Sequence, residues 1–401
     1  MSSATAPFDQ DEEDGGDRLA VAALAEQALL GAIMLEPSEI GHIRDWLEPG
    51  HFYRPAHQAL YRALLDQDGN EHPGRDAVAS SPQRLAWIVD AWRSAAATTR
   101  GIPAAYPYTL QAACQQSGHA VVYGRMVLEA AIHRTVTEHA TRLLHSATTA
   151  ADSGDVDSVL HHTDVLADVL EQLQRTWTPA EQTPAPAANA GSAGLAQTLT
   201  PSVSTEALRD PSTEERLLVA TLISAPGPLA DLVGWLYPAD FTDRLPAEVY
   251  RCLGALHHRG DAIDAVTVVW EAYRRGLLSD GTVTAEQILE LGTGRFGGDA
   301  GYFGQQVLAG SLIRTAAAGA EHIQQLAAGP LPPERLLPQA LAALAPLQRA
   351  RQRWASSEEP HPPPGESPAG DNGPVRHPPM PRPASAHRTA HAHERPRRSH
   401  R

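Results

Sequence analysis

Hydrophobic positions along the chain fall at helical spacing in two separated blocks. In the first, Leu29, Leu30, Ile33 and Met34 recur on one helical face, which predicts a helix over about Leu24 to Leu35 that stops at Pro37. A short helix is expected around Ile40 to Leu47. Pro55 suits a first helical turn, and Leu60, Tyr61 and Leu64 carry a third helix to near Gly69. From about His119 to Ser146, the residues Val122, Met126, Ile132, Val136, Ala140 and Leu143 read as one stripe. A second stripe, Leu308, Leu312, Ala316, Gly319, Ile323 and Leu326, follows in the later block at spacings of four and three. Each predicts a long helix with a face for packing another helix. The fold class read from this pattern is all-α.

The two blocks are copies of one another. With an offset of 188 residues, the run from Glu26 to Leu35 faces that from Glu214 to Ile223, and the apolar positions coincide. One residue later in register, Trp46, Leu47, Pro49, Phe52, Tyr61, Arg62 and Leu64 face Trp235, Leu236, Pro238, Phe241, Tyr250, Arg251 and Leu253. Further on, Val127, Leu128 and Arg134 face Val307, Leu308 and Arg314, and a late helix ends in Trp177 in one half and Trp354 in the other. Identities at such spacing, several of them in rare residue types, make the chain a tandem duplication.

Composition places boundaries around the copies. Residues 1–17 read as an acidic, disordered arm, with Asp9, Asp11, Glu12, Glu13, Asp14 and Asp17. Copy 1 is expected over 18–177 and copy 2 over 209–354. Between them, 178–208 is rich in Pro and Ala without periodicity and reads as a linker. Residues 355–401 are dominated by Pro, His, Arg and Gly and are too poor in apolar side chains for a core, so a disordered tail is expected. A chain of 401 residues accommodates two such domains. An aromatic share of only 5% leaves the packing to Leu, Ala and Val.

Several chemistries are excluded or disfavoured. The chain contains no lysine, which removes any Schiff-base mechanism. Cys114 and Cys252 stand far apart, without the spacing of a zinc site or a disulfide framework. The sequence Gly292-Thr293-Gly294-Arg295-Phe296-Gly297 has the spacing of a dinucleotide fingerprint, but a helix rather than a strand is predicted before it, so a turn is expected. The histidine pairs His161-His162 and His257-His258, and the group His387, His391 and His393, lack a convergent ligand arrangement. No catalytic residue, metal ligand or cofactor site is therefore assigned. No long apolar run and no charged-then-apolar leader is found, so the chain is expected in the cytoplasm and not in a membrane.

The run Ala25-Glu26-Gln27-Ala28-Leu29-Leu30-Gly31-Ala32-Ile33-Met34-Leu35, followed by Phe52-Tyr53-Arg54-Pro55-Ala56-His57 and Tyr61, resembles the opening of the N-terminal domain of DnaB-type replicative DNA helicases. In copy 2, Arg259-Gly260-Asp261-Ala262-Ile263-Asp264 with Thr267, then Arg275-Gly276-Leu277-Leu278, is similar to that family's next segment. Copy 1 departs from it with a polar insertion over Asn70 to Arg84, and copy 2 has Thr242-Asp243-Arg244-Leu245-Pro246 at the Tyr-Arg-Pro-Ala-His turn. The family's RecA-like motor needs a P-loop lysine, which these residues cannot supply. The resemblance thus implies a non-catalytic module without ATPase activity.

In the resembling helicases a helical hairpin pairs subunits in a collar that receives primase and loading factors. The resemblance therefore implies a replisome-associated adaptor whose partner is the replicative helicase or the primase; an accessory DNA-binding protein acting through its Arg-rich tail, or an interaction module no longer linked to replication, are the alternatives. The expected interface is Val122, Met126, Ile132, Val136 and Leu143 with Leu308, Leu312, Ala316 and Ile323. These residues could pair the two copies, associate two chains, or be buried in each module. Arg388, Arg395, Arg397, Arg398 and Arg401 are the candidate nucleic-acid contacts, through which weak, nonspecific DNA binding would be salt-sensitive.

Overall fold

The computed structural model describes residues 10–76, 78–177, 211–279, 281, 283–293 and 298–358. The expected linker and nearly all of the expected tail lie outside the described residues. Among those described, the regular elements are all helical. Copy 1 comprises α1 (Gln10–Leu35), α2 (Pro55–Gly69), α3 (Ser81–Thr98), α4 (Tyr106–Ala113), α5 (Ala120–Ser153) and α6 (Val156–Trp177). Copy 2 comprises α7 (Pro211–Ser224), α8 (Leu229–Leu232), α9 (Arg244–Arg259), α10 (Ala265–Arg274), α11 (Ala285–Thr293), α12 (Ala300–Ala328) and α13 (Pro333–Glu358).

Local chemistry accounts for the element ends. The α10 start is a reciprocal cap, in which Thr267 N–H donates to Asp264 Oδ1 at 2.8 Å and Asp264 N–H donates to Thr267 Oγ1 at 2.9 Å. Ser80 and Gln83 form the corresponding box at the start of α3. Gly154 between α5 and α6, and Gly260 after α9, hold φ of 75° and 70°, a left-handed conformation that glycine adopts without a side-chain clash.

Three boundaries differ from the sequence reading. Helix α1 begins at Gln10, inside the stretch expected to be a disordered acidic arm. Acidic sequence suits the first turns of a helix, whose amino end carries partial positive charge. The short helix expected over Ile40 to Leu47 is a 3-10 turn, Pro37–His42, followed by irregular turns. Helix α13 runs four residues past Trp354 to Glu358, and it continues through Pro338 and Pro346, each of which removes one backbone donor from the helical ladder.

Each copy has a head and a hairpin. The copy 1 head joins α1 to α4, and that of copy 2 joins α7 to α11. The hairpins are α5 with α6 and α12 with α13, and they pack on each other as four helices, with α5 lying along α12. One continuous hydrophobic core contains the copy 1 head together with both hairpins, including Ile132, Val136, Leu166, Leu312, Ala316, Ile323, Leu337 and Leu344. The copy 2 head has its own core, built from Leu218, Leu222, Leu236, Leu253, Val268 and Leu308. Trp354 packs against both. The duplication therefore folds as an internal pair joined through its hairpins.

Candidate partner interface

The two heads are braced within themselves, and joined to their hairpins, by the same contacts. Tyr61 Oη donates to Leu47 O at 3.2 Å, and Tyr250 Oη donates to Leu236 O at 3.3 Å. Each tyrosine also lies about a ring's width from a phenylalanine, 4.9 Å between centroids for Phe52 and 5.1 Å for Phe241. Arg134 on α5 donates to His51 O at 3.1 Å, and Arg314 on α12 donates to Asp240 O at 2.6 Å. Burial lowers the pKa of the Arg314 guanidinium, against the opposing pull of Glu215 and Asp240. At Gly124 and Gly304 the hairpin helix passes so close to the indoles of Trp46 and Trp235 that a Cβ would meet each ring at 2.9 Å.

A buried glutamate completes the pattern and corrects the register. Glu26 accepts from Tyr53 N–H at 2.5 Å and Glu215 accepts from Thr242 N–H at 2.6 Å, both carboxylates being almost wholly buried. Glu26 therefore corresponds to Glu215, not Glu214, and a single offset serves from Glu26 through Leu64. The apolar pattern could not fix this. Neighbouring positions on α1 and α7 are apolar on several sides, so a one-residue slip still aligns hydrophobic with hydrophobic.

The remaining partners of the two glutamates differ. Glu26 Oε2 lies 2.6 Å from His57 Nδ1, and His57 Nε2 lies 2.6 Å from Tyr106 Oη, a chain that ties α1, α2 and α4 together. Copy 2 has Pro246 in place of the histidine, and Glu215 instead accepts a second backbone N–H, from Asp243 at 2.9 Å. Burial raises the Glu215 pKa, and the two backbone donors oppose that shift.

Of the nine residues expected to form a partner interface, Ile132, Val136, Leu143, Leu308, Leu312, Ala316 and Ile323 are fully buried inside this chain. An external partner cannot reach them in this arrangement. Six of the seven belong to the core shared by the copy 1 head and the two hairpins, and Leu308 to the copy 2 head. Polar contacts fasten the same junction. His133 Nδ1 lies 2.8 Å from Ala327 O, Gln324 donates to Thr141 Oγ1 at 2.9 Å, and Trp177 Nε1 donates to Glu334 at 3.2 Å. Arg351 forms an ion pair with Asp164.

Val122 and Met126 are the exceptions, each about half exposed. At about 100° per residue, the six-residue step from Met126 to Ile132 turns the helix by about 240°, so these positions do not continue the later stripe. Met126 instead lines a cleft of about 690 Å³ between α1 and α5, together with Val21, Leu24, Tyr123, Glu129 and His133. Val21 and Leu24 are each more than 60% exposed. Sequence periodicity missed both, because they lie ahead of the buried stripe of α1.

Other candidates resolve differently. The tail arginines Arg388, Arg395, Arg397, Arg398 and Arg401 lie outside the described residues, as do His387, His391 and His393. A helix does precede the glycine motif, but it runs on through Gly292 and Thr293, where a turn is expected, while residues 294–297 are outside the described set. Among the described residues, no three His, Cys, Asp or Glu side chains are grouped to hold a metal ion. Cys252 is buried and its thiol is pushed up to about 11 by burial. No described helix is long and apolar enough to cross a membrane.

Comparison with known proteins falls on the heads. A family model matches residues 20–75 and 207–293, which cover most of the copy 1 head's opening and all of α7 to α11. The match is to the DnaB-like helicase N terminal domain. Both copies of this DnaB-like domain are thus represented, and the all-α tandem architecture agrees with it. The replicative DNA helicase DnaB of Mycobacterium leprae is 32% identical over 171 residues, which is 42% of this chain. The aligned part is 27% of that relative, so the chain spans about a quarter of the protein it matches. No solved structure matches. Only the non-catalytic, N-terminal domain of the helicase is matched, and the likeness ties the chain to replicative helicases in general terms.

Proposed function

We propose that the protein is a non-catalytic, replisome-associated adaptor whose partner is the replicative helicase or the primase. The observation that carries this reading is the pairing of two DnaB-like copies through their hairpins inside one chain. With the hairpin faces buried against each other, a partner has to dock on another surface of the chain. The surface we assign to the partner is the cleft between α1 and α5. Its exposed Val21, Leu24 and Met126 form an apolar stretch of the kind that marks protein association, with a flexible methionine suited to accommodating a partner's side chains.

The full chain, immobilised, is expected to retain purified replicative helicase or primase from its own organism. Leu24→Glu with Met126→Glu should lower that retention at least tenfold without changing helicity, because both side chains are exposed. Retention of neither protein by the unaltered chain would overturn the adaptor reading. Equal retention by the double variant would keep the reading and remove the cleft from it.

A further inference from the structure

The copy 2 head carries an aromatic and cationic surface that the proposed adaptor role does not use. Helix α10 exposes Val266, Trp270 and Tyr273, each more than 60% accessible, along one face. Large aromatic side chains are normally buried for their apolar area. In copy 1, the helix that follows α2 buries Trp87 completely. The Trp270 and Tyr273 rings lie 5.6 Å apart between centroids, inclined at 33°, and both are accessible from neighbouring turns of this face.

Next to these rings stands an organised group of guanidiniums. Glu271, almost fully buried, is 2.8 Å from Arg259, 2.8 Å from Arg275 and 3.6 Å from Arg274. Asp261 takes a further contact from Arg259, at 2.8 Å. Three positive groups thus face two carboxylates. Arg274 is the least engaged and more than half exposed, and a guanidinium has five N–H donors, so most of its hydrogen-bonding capacity faces solvent. The buried carboxylate fixes where these cations sit.

We propose that this surface binds single-stranded nucleic acid, with bases stacking on Trp270 and Tyr273 and the adjoining phosphates meeting Arg274 and, beside it, Arg275. Aromatic platforms flanked by arginine suit unpaired bases, because every base offers a π-face while a duplex hides it. A purely apolar partner would leave the arginine group unused. The inference does not depend on the adaptor reading, since the cleft between α1 and α5 belongs to copy 1 and this surface to copy 2.

The test uses the full chain and fluorescence anisotropy with labelled oligothymidylate, and with a duplex of the same length. The arginines of residues 376–401 can bind phosphates in either form, so the readout is the ratio of the two affinities. The unaltered protein should prefer the single strand. Trp270→Ala and Tyr273→Ala should each weaken single-strand binding by at least about fivefold, the low end for loss of one stacking platform, and leave duplex binding unchanged. Arg274→Ala should reduce the slope of log affinity against log salt by about 0.7. Unchanged helicity would confirm that each exposed substitution leaves the fold intact. Equal single-strand affinity in both aromatic variants would overturn the proposal. So would competition by thymidine monophosphate as effective, per mole, as the oligonucleotide, which would indicate a mononucleotide site. A fall in solution mass for Trp270→Ala, with no change in nucleic-acid affinity, would make the face an interface between chains and also overturn it.

Discussion

The two copies share a skeleton and differ in what is hung on it. In both, a buried glutamate holds the backbone before the second long helix of the head, a tyrosine reaches a leucine carbonyl, and an arginine from the hairpin reaches a carbonyl of the head. Copy 1 adds the buried chain Glu26–His57–Tyr106 and buries Trp87, and its core runs without interruption into both hairpins. Copy 2 keeps a separate head core and exposes Trp270 and Tyr273. The difference teaches that the contacts anchoring head to hairpin are what both copies retain, while the third helix of the head has been free to change. The former hold each head on the hairpins that pair, and recognition can diverge in the latter.

The largest effect expected from breaking this arrangement is at the junction. Leu312 is fully buried in the core shared by the copy 1 head and both hairpins. Leu312→Ala should cost about 2–5 kcal/mol, the usual range for a leucine truncated in a core. Because that core is continuous, the loss should appear in copy 1 even though the substitution lies in copy 2. Hydrogen exchange read by mass spectrometry checks this. Faster exchange in α5 and α6 is expected alongside α12, and an effect confined to α12 and α13 would show that the copies are energetically separate.

A smaller effect separates the two glutamates. Glu26→Ala removes the partner of both Tyr53 N–H and the fully buried His57, whereas Glu215→Ala removes an acceptor from two backbone N–H groups at the edge of a loop. Leaving a buried polar group unsatisfied costs about 1–3 kcal/mol. The Glu26 substitution should therefore lower the thermal midpoint more, and it should also loosen α4, which is tied to the rest of the head through Tyr106. Equal midpoints for the two variants would mean that the histidine chain adds nothing beyond the backbone contacts common to both copies.

How much of this was legible depends on what kind of residue carried the information. Trp46, Phe52, Tyr61 and their counterparts revealed the duplication because aromatic residues are scarce here and each fills one defined place in the core. The hairpin stripes revealed helices that pack on helices, and the buried Ile132, Val136, Leu312 and Ala316 fill that packing. The stripe could not reveal its partner, because an apolar face reads alike whether it meets its own copy, the other copy or another protein. It also misplaced Val122 and Met126, which are about half exposed because they lie off the face that carries Ile132, Val136 and Leu143. Glu26 and Glu215 were illegible for a different reason. A buried acid looks in sequence like any solvated one until the backbone donors that satisfy it are brought up by the fold.

The finest distinction lies within copy 2 and is one of pH. Glu271 has its pKa lowered by the hydrogen bonds from Arg259 and Arg275, while Glu215 has its pKa raised by burial. The signs of their contributions are opposite. A depressed carboxylate stabilises the fold above its unfolded value, near the ordinary 4.5, and that contribution is lost as pH falls through the folded value. A raised carboxylate favours the fold where it is protonated, and that contribution is lost as pH rises through its folded value. Glu271→Gln should therefore flatten the acid side of the stability profile, with the difference from the unaltered chain shrinking below about pH 4. Glu215→Gln should act on the other side, reducing the loss of stability as pH rises above about 4.5. Urea unfolding of copy 2 followed across this range, with exchange in α9 and α10 as the local readout, checks both. Displacement of both profiles in the same direction would mean that the arginines around Glu271 do not hold its carboxylate ionised, and that the guanidinium group beside Trp270 is not fixed in place by it.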